Sequence, residues 1–576
     1  MQFELSSKKL YKPFSNDLDN PEIKKFLKKI LSDDKNFFIT TVIYGIAIAI
    51  LSLALPLSVQ LLINSVAFTA LIQPVIILGV VLFLLLGFSA ILNALQFYVG
   101  EIFQRRFFAR MSAEITIKLI DSDHKNFEQS NQTEFVNRFF DVINIQKIVP
   151  KILVKTFSLI LQTIAGLTLV ALYHPLLLLF SLLIIFSITA IWKIFSKPAF
   201  ITKFYSSRRK YDVAGWLEDI ARNNIIFKSE IGKKYAKFKT NFLTEQYLKE
   251  SKNHFKYLFY QVILMLGLYT VASTLLLIIG GYLVLKGQLS IGQLVASELV
   301  LSATLYGISQ LGRDFESFYE LTSSCEKLSQ FYNIPTEKNG EEKITEDAIN
   351  IRFKDAVDVY FQREFKFNFE IKKNKNYLIS TENLSSQKIL IELIMGLRKP
   401  QRGRIEFNNH DIENVDLEHL RSQIAIIDNS TFIEGSVEEY LTFNNKLISK
   451  KQINEVLEIT GFNKILSRFA EGLSLRIIPS GWPFSESEKI LLKISRALLQ
   501  EPKIIIITEV LDILNLKMRR KILNFTIKDH NATVLYFSDR RDDMIDFDEY
   551  IFIREDKVLH FSSLEELDKF EQKIAN

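Results

Sequence analysis

Residues 51 to 100 contain no charged side chain, in a chain that is 24% Asp, Glu, Lys and Arg overall. So long an uncharged stretch is a membrane signature and argues against a wholly soluble protein. Cysteine occurs once, at Cys325. That excludes an intrachain disulfide and any Cys-rich metal centre, and Cys325 reads as a small buried residue. His174 has no second His, Cys or carboxylate close in sequence to complete a metal site, so it reads as a turn residue. No cleavable signal peptide is expected, because the first 36 residues are polar and the first apolar run is far longer than a signal h-region. Positive charge is in excess in one part only. Residues 1 to 335 hold 35 basic and 24 acidic side chains, a net of +11, and the remainder holds 36 and 41, a net of −5. The acidic second part excludes a nucleic-acid footprint, and the basic first part suits cytoplasmic loops beside a lipid bilayer.

At 576 residues the chain is too long for one core. Hydropathy predicts six spans, at about 38–66, 75–99, 152–173, 176–194, 257–285 and 291–312. Pro56 should kink the first. Pro21 to Phe37 alternates Lys with Ile, Phe and Leu at helical spacing. It reads as an amphipathic helix on the cytoplasmic membrane surface, or as an ordinary solvated helix. Only His174-Pro175 joins the third and fourth spans, which makes them an antiparallel hairpin. Two long polar, helical excursions lie on the inside, and the second, residues 195 to 256, carries 14 Lys and Arg. The predicted division is therefore a cytoplasmic N-terminal segment (1–36), a transmembrane domain (37–332), a polar linker (333–348) and an α/β cassette (349–576). Glu298 lies two turns into the sixth span, where an ionisable side chain either has a function or snorkels to the interface.

The cassette contains the frame of a phosphate-binding loop, YLISTENLSSQKILIELIMGLRKPQRGR, from Tyr377 to Arg404. A short apolar strand enters a loop and then an apolar helix ending at Gly396. The chemistry requires G-x-x-x-x-G-K-S/T: glycines so that backbone N–H groups cradle phosphate, Lys to neutralise it, and a hydroxyl for Mg²⁺. Counting back from Gly396, those positions hold Thr381, Ser386, Gln387 and Lys388. A register shifted by one puts Lys388 at the Lys position and still leaves no hydroxyl.

Beyond this frame the order of helix, Pro400, Gly403-Arg404, strand, Asp411-Ile412 and Leu420-Arg421 resembles the cassette of ATP-binding cassette (ABC) transporters. So does Arg496-Ala497-Leu498-Leu499 followed by Glu501-Pro502-Lys503 and the strand Ile504 to Ile507. The six spans with long inside loops are similar to the type I exporter fold of that superfamily. FVNRFFDVINIQK (Phe135 to Lys147), LVALYHPLLL (Leu169 to Leu178) and GQLSIGQLVASELV (Gly287 to Val300) resemble transporters of bacterial type I secretion systems. The resemblance implies a membrane α-helical domain plus a P-loop NTPase-like α/β cassette, with ATP and Mg²⁺ as the family's cofactors. It also assigns positions. The Gln that senses Mg²⁺ is Asn429, and the signature L-S-G-G-Q is Phe484-Ser485-Glu486-Ser487-Glu488. The Asp that positions Mg²⁺ is Thr508, and the switch His is Asp539. Glu509 matches the general base, or is a leftover residue at a strand end.

Phosphoryl transfer depends on positioning and charge neutralisation, so these losses together predict a cassette that neither binds ATP well nor hydrolyses it. The expected protein is an exporter-like inner-membrane subunit in a type I secretion-like complex. Its expected partners are a second copy or another ABC half-transporter, and a membrane-fusion protein, with both termini in the cytoplasm. An active exporter with divergent motifs and a non-transporting scaffold are the alternatives. By position, short coupling helices should lie near Asp121 to Phe127 and near Asp212 to Glu218. Trp216 is then either an anchor across a dimer interface or packed within its own helix pair.

Overall fold

The structure, a computed structural model, describes residues 28, 32–68, 72–125, 137, 139–332, 334–528, 532–541 and 545–575. It divides into two compact units. The first takes residues up to Ser122 and from Asn126 to Thr336, and the second takes Asp123–Lys125 and Glu337–Asn576.

The first unit is helical: α1 Lys35–Leu51, α2 Ala54–Phe68, α3 Ile72–Ile120, α4 Phe139–Pro150, α5 Ser158–Tyr173, α6 Pro175–Arg222, α7 Glu230–Leu285 and α8 Ile291–Tyr332. Among the described residues five segments are long and apolar enough to cross a membrane: 35–66, 72–120, 139–173, 175–222 and 230–285. The sixth expected span falls on α8, whose apolar stretch within the described side chains is Ile291–Thr304. The expected kink is a break at Ser52-Leu53 between α1 and α2. Pro56 lacks the N–H that would bond back across that break. The expected surface helix at 21–37 lies mostly outside the described residues.

The long helices serve two environments. The first half of α3 exposes Ile76, Val80, Phe83, Leu84 and Ile91, as a helix facing lipid does. Its second half buries Phe103, Phe107, Met111 and Ile115 at every fourth residue, one stripe of an ordinary amphipathic helix. That stripe packs with Phe37, Val142, Ile145, Tyr319 and Cys325. In the apolar part the Gln96 side-chain amide donates to Thr41 O at 3.1 Å and to Ser158 Oγ at 3.3 Å. Close approach of α5 and α8 requires glycine. A Cβ on Gly166 would lie 2.7 Å from Val300, and one on Gly307 would lie 2.3 Å from Leu159. Between α4 and α5 the backbone runs as a π-helix over Lys151–Phe157. It brings Lys151 and Lys155 to 3.6 and 3.5 Å from Oδ1 of the buried Asp314. His174 caps α6 by accepting from Leu176 N at 3.1 Å, so it is the turn residue expected.

One expectation needs correcting. Asp212 to Glu218 is not a separate short helix but lies inside the continuous α6. The bend comes later, and its short element is the 3-10 turn Ile226–Lys228. Trp216 is buried within the α6–α7 pair. Its indole donates to Thr240 Oγ1 at 3.0 Å, and Lys239 Nζ lies 4.0 Å above the ring. Phe227 and Tyr235 meet it edge-on.

The second unit has two main sheets. An antiparallel sheet orders β2 (Arg363–Ile371), β1 (Ile351–Tyr360), β4 (Arg402–Phe407) and β5 (His410–Asp411). A bulge between Lys354 and Val357 bends β1 against Gly403, where any Cβ would lie 2.0 Å from Asp355 O. The second sheet orders β12 (Val558–Phe561), β11 (Glu549–Ile553), β3 (Asn376–Thr381), β10 (Thr533–Phe537), β9 (Ile504–Ile507) and β6 (Ile424–Ile427). All but β12 are parallel, and Ile504–Ile507 is buried throughout, as a strand covered on both faces must be. Alternate residues feed two cores: Ile379, Ile504, Ile506 and Leu535 on one face, Leu378, Ile505, Ile507 and Val534 on the other. Most of the expected linker belongs to this unit. Arg421 donates to both Glu337 oxygens at 2.7 and 2.6 Å, and Gly340 N donates to Val415 O.

Candidate functional site

The carboxyl ends of β3, β10, β9 and β6, four adjacent parallel strands, carry the residues singled out in the cassette. In an open parallel sheet that edge is where ligands bind. Thr381 ends β3, Asp539 follows β10 by two residues, Thr508 and Glu509 follow β9, and Asn429 follows β6 by two residues.

After β3 the loop Glu382-Asn383 enters the helix α9, Leu384–Ile394. Asn383 is its N-cap, and the side-chain oxygen accepts from Ser386 N at 2.9 Å. A backbone donor at the head of the helix is thereby satisfied within the chain. Gln387 is buried and its amide donates to Glu509 Oε2 at 3.2 Å. Its own Oε1 is buried with no hydrogen-bond partner among the described residues. Lys388 turns to another side of α9, 3.3 Å from Tyr360 OH and 3.8 Å from Glu392. The geometry therefore selects the first of the two registers: Gln387, not Lys388, faces Glu509.

Around these residues several polar groups are bonded within the chain. Thr508 Oγ1 donates to Ile427 O at 3.1 Å, across the sheet. Ser380 Oγ donates to Asp539 Oδ1 at 2.9 Å. Asp512 accepts from Tyr536 OH at 3.1 Å and from Ser538 Oγ at 3.2 Å. Burial raises its carboxyl above the ordinary value against those bonds. Behind α9, Arg398 pairs with Glu392 and lies 3.4 Å from Asp358, with its guanidinium 4.8 Å from the Tyr360 ring. His124, in the short segment that belongs to this unit, lies 3.4 Å from Glu392. Burial opposes ionisation of Glu392, but the bonds from His124 and Arg398 outweigh it and hold the carboxyl below its ordinary value. The sequence reading missed Asn383, Glu392, Arg398 and Tyr360. Asn383 was recoverable, since an Asn three residues before a helical N–H is a cap signal.

The segment Phe484 to Glu488 is built differently from its expected reading. Phe484 is core, packed edge-on against Phe462 and Phe469. Ser485 caps the helix α14, Glu486–Leu499 in chain order after α10 (Leu417–Ser422), α11 (Val437–Thr442), α12 (Lys450–Thr460) and α13 (Asn463–Leu466). Glu488 does not project outward: it accepts from Ser485 N at 2.9 Å and pairs with Arg468. Burial resists that charge, but the two bonds prevail and its carboxyl is held low. Glu486 remains largely exposed beside Lys489. Asn429, Phe432, Ser480, Glu486, Lys489 and Lys493 line a pocket of about 260 Å³. Burial lowers the Lys493 ammonium below its ordinary value, and it donates to Asp428 O at 2.7 Å.

In the first unit, Glu298 lies on α8. Ser302 Oγ donates to its Oε1 at 3.0 Å, and its Oε2 is buried without a hydrogen-bond partner among the described residues.

Apolar helices long enough to cross a membrane, together with a parallel-sheet cassette whose strand ends form a ligand edge, define a membrane-integral half-transporter. The ABC transporter family matches residues 365–511. The alpha-hemolysin translocation ATP-binding protein HlyB of Escherichia coli is 22% identical over 557 residues, covering 92% of this chain and 76% of that protein. An export ATP-binding/permease protein of Rickettsia prowazekii is 26% identical over 291 residues, so this chain spans half the length of that relative. The solved structure of a bacterial Atm1-family ABC exporter with ATP bound superposes with a TM-score of 0.81 at 15% identity, covering 94% of this chain and 96% of that one. Residues 365–511 form an ABC transporter cassette, and the chain has the fold of an ABC exporter half-transporter, a family that uses ATP and Mg²⁺.

Proposed function

We propose that this chain is the membrane subunit of an export assembly and that its cassette works by shape and docking, without productive ATP hydrolysis. One observation carries the reading: Gln387, at the position of the phosphate-binding lysine, gives its amide to Glu509, while Asn383 holds the Ser386 N–H. A neutral side chain supplies no charge for a polyphosphate, and a backbone donor already bonded is not free to cradle one. In place of Mg²⁺ ligands, Thr508 is turned to Ile427 O and Asp539 Oδ1 accepts from Ser380, and no group of three His, Cys, Asp or Glu that could hold a metal ion lies among the described residues. ATP and Mg²⁺ therefore do not fit these residues. The similarity to HlyB supports a type I secretion-like setting: a dimer of two copies or with another ABC half-transporter, a membrane-fusion protein, and an inner-membrane location with both termini in the cytoplasm. Titration calorimetry of the full chain in nanodiscs tests the cassette. Binding of ATP·Mg²⁺ is expected no tighter than about millimolar, roughly −4 kcal/mol. A micromolar constant would overturn the reading in favour of an active exporter, which the presence of Glu509 favours. Absence of any substrate flux with an intact assembly would favour a scaffold instead.

A further inference from the structure

Glu298 is the only Asp, Glu, Lys or Arg between residues 287 and 312. Residues 36–100, 158–192 and 257–285, the apolar parts of the neighbouring helices, contain none. Within the apolar segments this one carboxylate therefore has no counter-charge from its own chain. It sits seven residues after the start of α8, about 10 Å along the helix. α8 packs on α2, α5 and α7. The carboxylate is half satisfied: Ser302 Oγ serves Oε1, and Oε2 is buried with no hydrogen-bond partner among the described residues. Carboxylates in apolar surroundings are retained where something pairs with them.

We propose that Glu298 is the intramembrane acceptor for a hydrogen-bond-donating organic cation, a primary ammonium or guanidinium carried by the exported molecule. The inference rests on the export reading above. A metal cation is a poor fit, because Ca²⁺ takes six to eight oxygen ligands and Mg²⁺ an octahedral set. The one hydroxyl at Glu298 is that of Ser302, and no group of three His, Cys, Asp or Glu exists among the described residues. An organic cation satisfies Oε2 with an N–H and brings its own apolar body to a helix whose adjacent residues are Val295, Leu299 and Leu301.

The test is binding of dansylcadaverine, a fluorescent primary amine, to the full chain in nanodiscs, followed by anisotropy. Its N-acetylated derivative is the uncharged control. The wild-type chain should bind the amine about tenfold more tightly than the acetylated probe. Glu298→Gln should remove that preference without changing the acetylated probe's affinity, and Glu298→Asp should keep it. Equal binding of the two probes by the wild-type chain overturns the proposal without recourse to a variant, and so does Glu298→Gln retaining the preference. Displacement of the amine by sodium chloride but not by choline chloride at equal ionic strength also overturns it, in favour of an inorganic ion. Binding needs no flux, so a chain that shows the charge preference yet transports nothing counts against the export reading alone.

Discussion

Replacing Gln387 by lysine restores the residue type that binds phosphate, and the geometry says that it should not restore function. Gln387 Nε2 lies 3.2 Å from Glu509 Oε2. A lysine ammonium there meets that carboxylate before any ligand arrives. A hydrogen bond to a charged group is worth about 1.5–3 kcal/mol, which a phosphate must outbid. Freeing the Ser386 N–H from Asn383 costs about 1 kcal/mol more. The two terms oppose ATP by roughly 2.5–4 kcal/mol, or two to three orders of magnitude in Kd. Gln387→Lys alone should therefore leave ATP·Mg²⁺ binding near millimolar and phosphate release at background. Adding Glu509→Gln and Asn383→Gly should tighten binding by about 100-fold or more, still without turnover, because both opposing bonds are then gone. Calorimetry and an inorganic-phosphate assay on the full chain read both quantities. A micromolar constant, or steady phosphate release, from the single variant would refute the argument that internal bonds close this site.

Trp216→Ala should cost about 3–5 kcal/mol locally, as for a buried Trp, seen as faster amide exchange in 205–245 with the dimerisation constant unchanged; weaker dimerisation with unchanged exchange would return Trp216 to an interface. Arg398→Met leaves the buried Asp358 carboxylate without its cation and Glu392 with only Lys388 and His124 beside it, and should cost about 3–5 kcal/mol, read as lost exchange protection in β1 and α9. Because folding holds the Glu392 carboxyl low, its contribution is present above the ordinary glutamate pKa and lost as pH falls through the lowered value. Glu392→Gln should thus be less protected than wild type at neutral pH and equal to it in acid, and a gap that persists in acid would contradict this. Reporter fusions at Lys286 should read outside and those at Arg209 inside; the reverse at either position would refute the topology.

The membrane half was legible because its signal is crude and long. Runs without charge pointed to the five segments that are long and apolar enough to cross a membrane among the described residues, and His174-Pro175 marked a tight hairpin whose cap is the histidine itself. The cassette's parallel strands were equally plain in Ile504–Ile507. The sequence was silent where geometry depends on which way a side chain turns. Glu488 looked like the last residue of a nucleotide signature and is a helix cap, and Lys388 looked like a displaced phosphate ligand and faces Tyr360. The short helix expected near Asp212 to Glu218 is instead part of α6, which runs through Gly215 unbroken. The chain turns only at Asn223-Asn224, where two asparagines favour leaving a helix. Polar composition at 333–348 suggested a free tether, but Glu337 and Gly340 are bonded to Arg421 and Val415.

The π-helix at Lys151–Phe157 is in effect one residue that the surrounding helix has absorbed. An α-helix through the same region needs one residue fewer. Deleting a residue from this turn therefore offers the chain a shorter path to regular geometry, whereas a deletion between Ser158 and Gly166 rotates Gly166 away from Val300 by about 100°. The segment is thus a place where the length of the chain can change without disturbing the contacts on either side. The cost falls on the two lysines that share Asp314, since both lie inside the turn that would re-form.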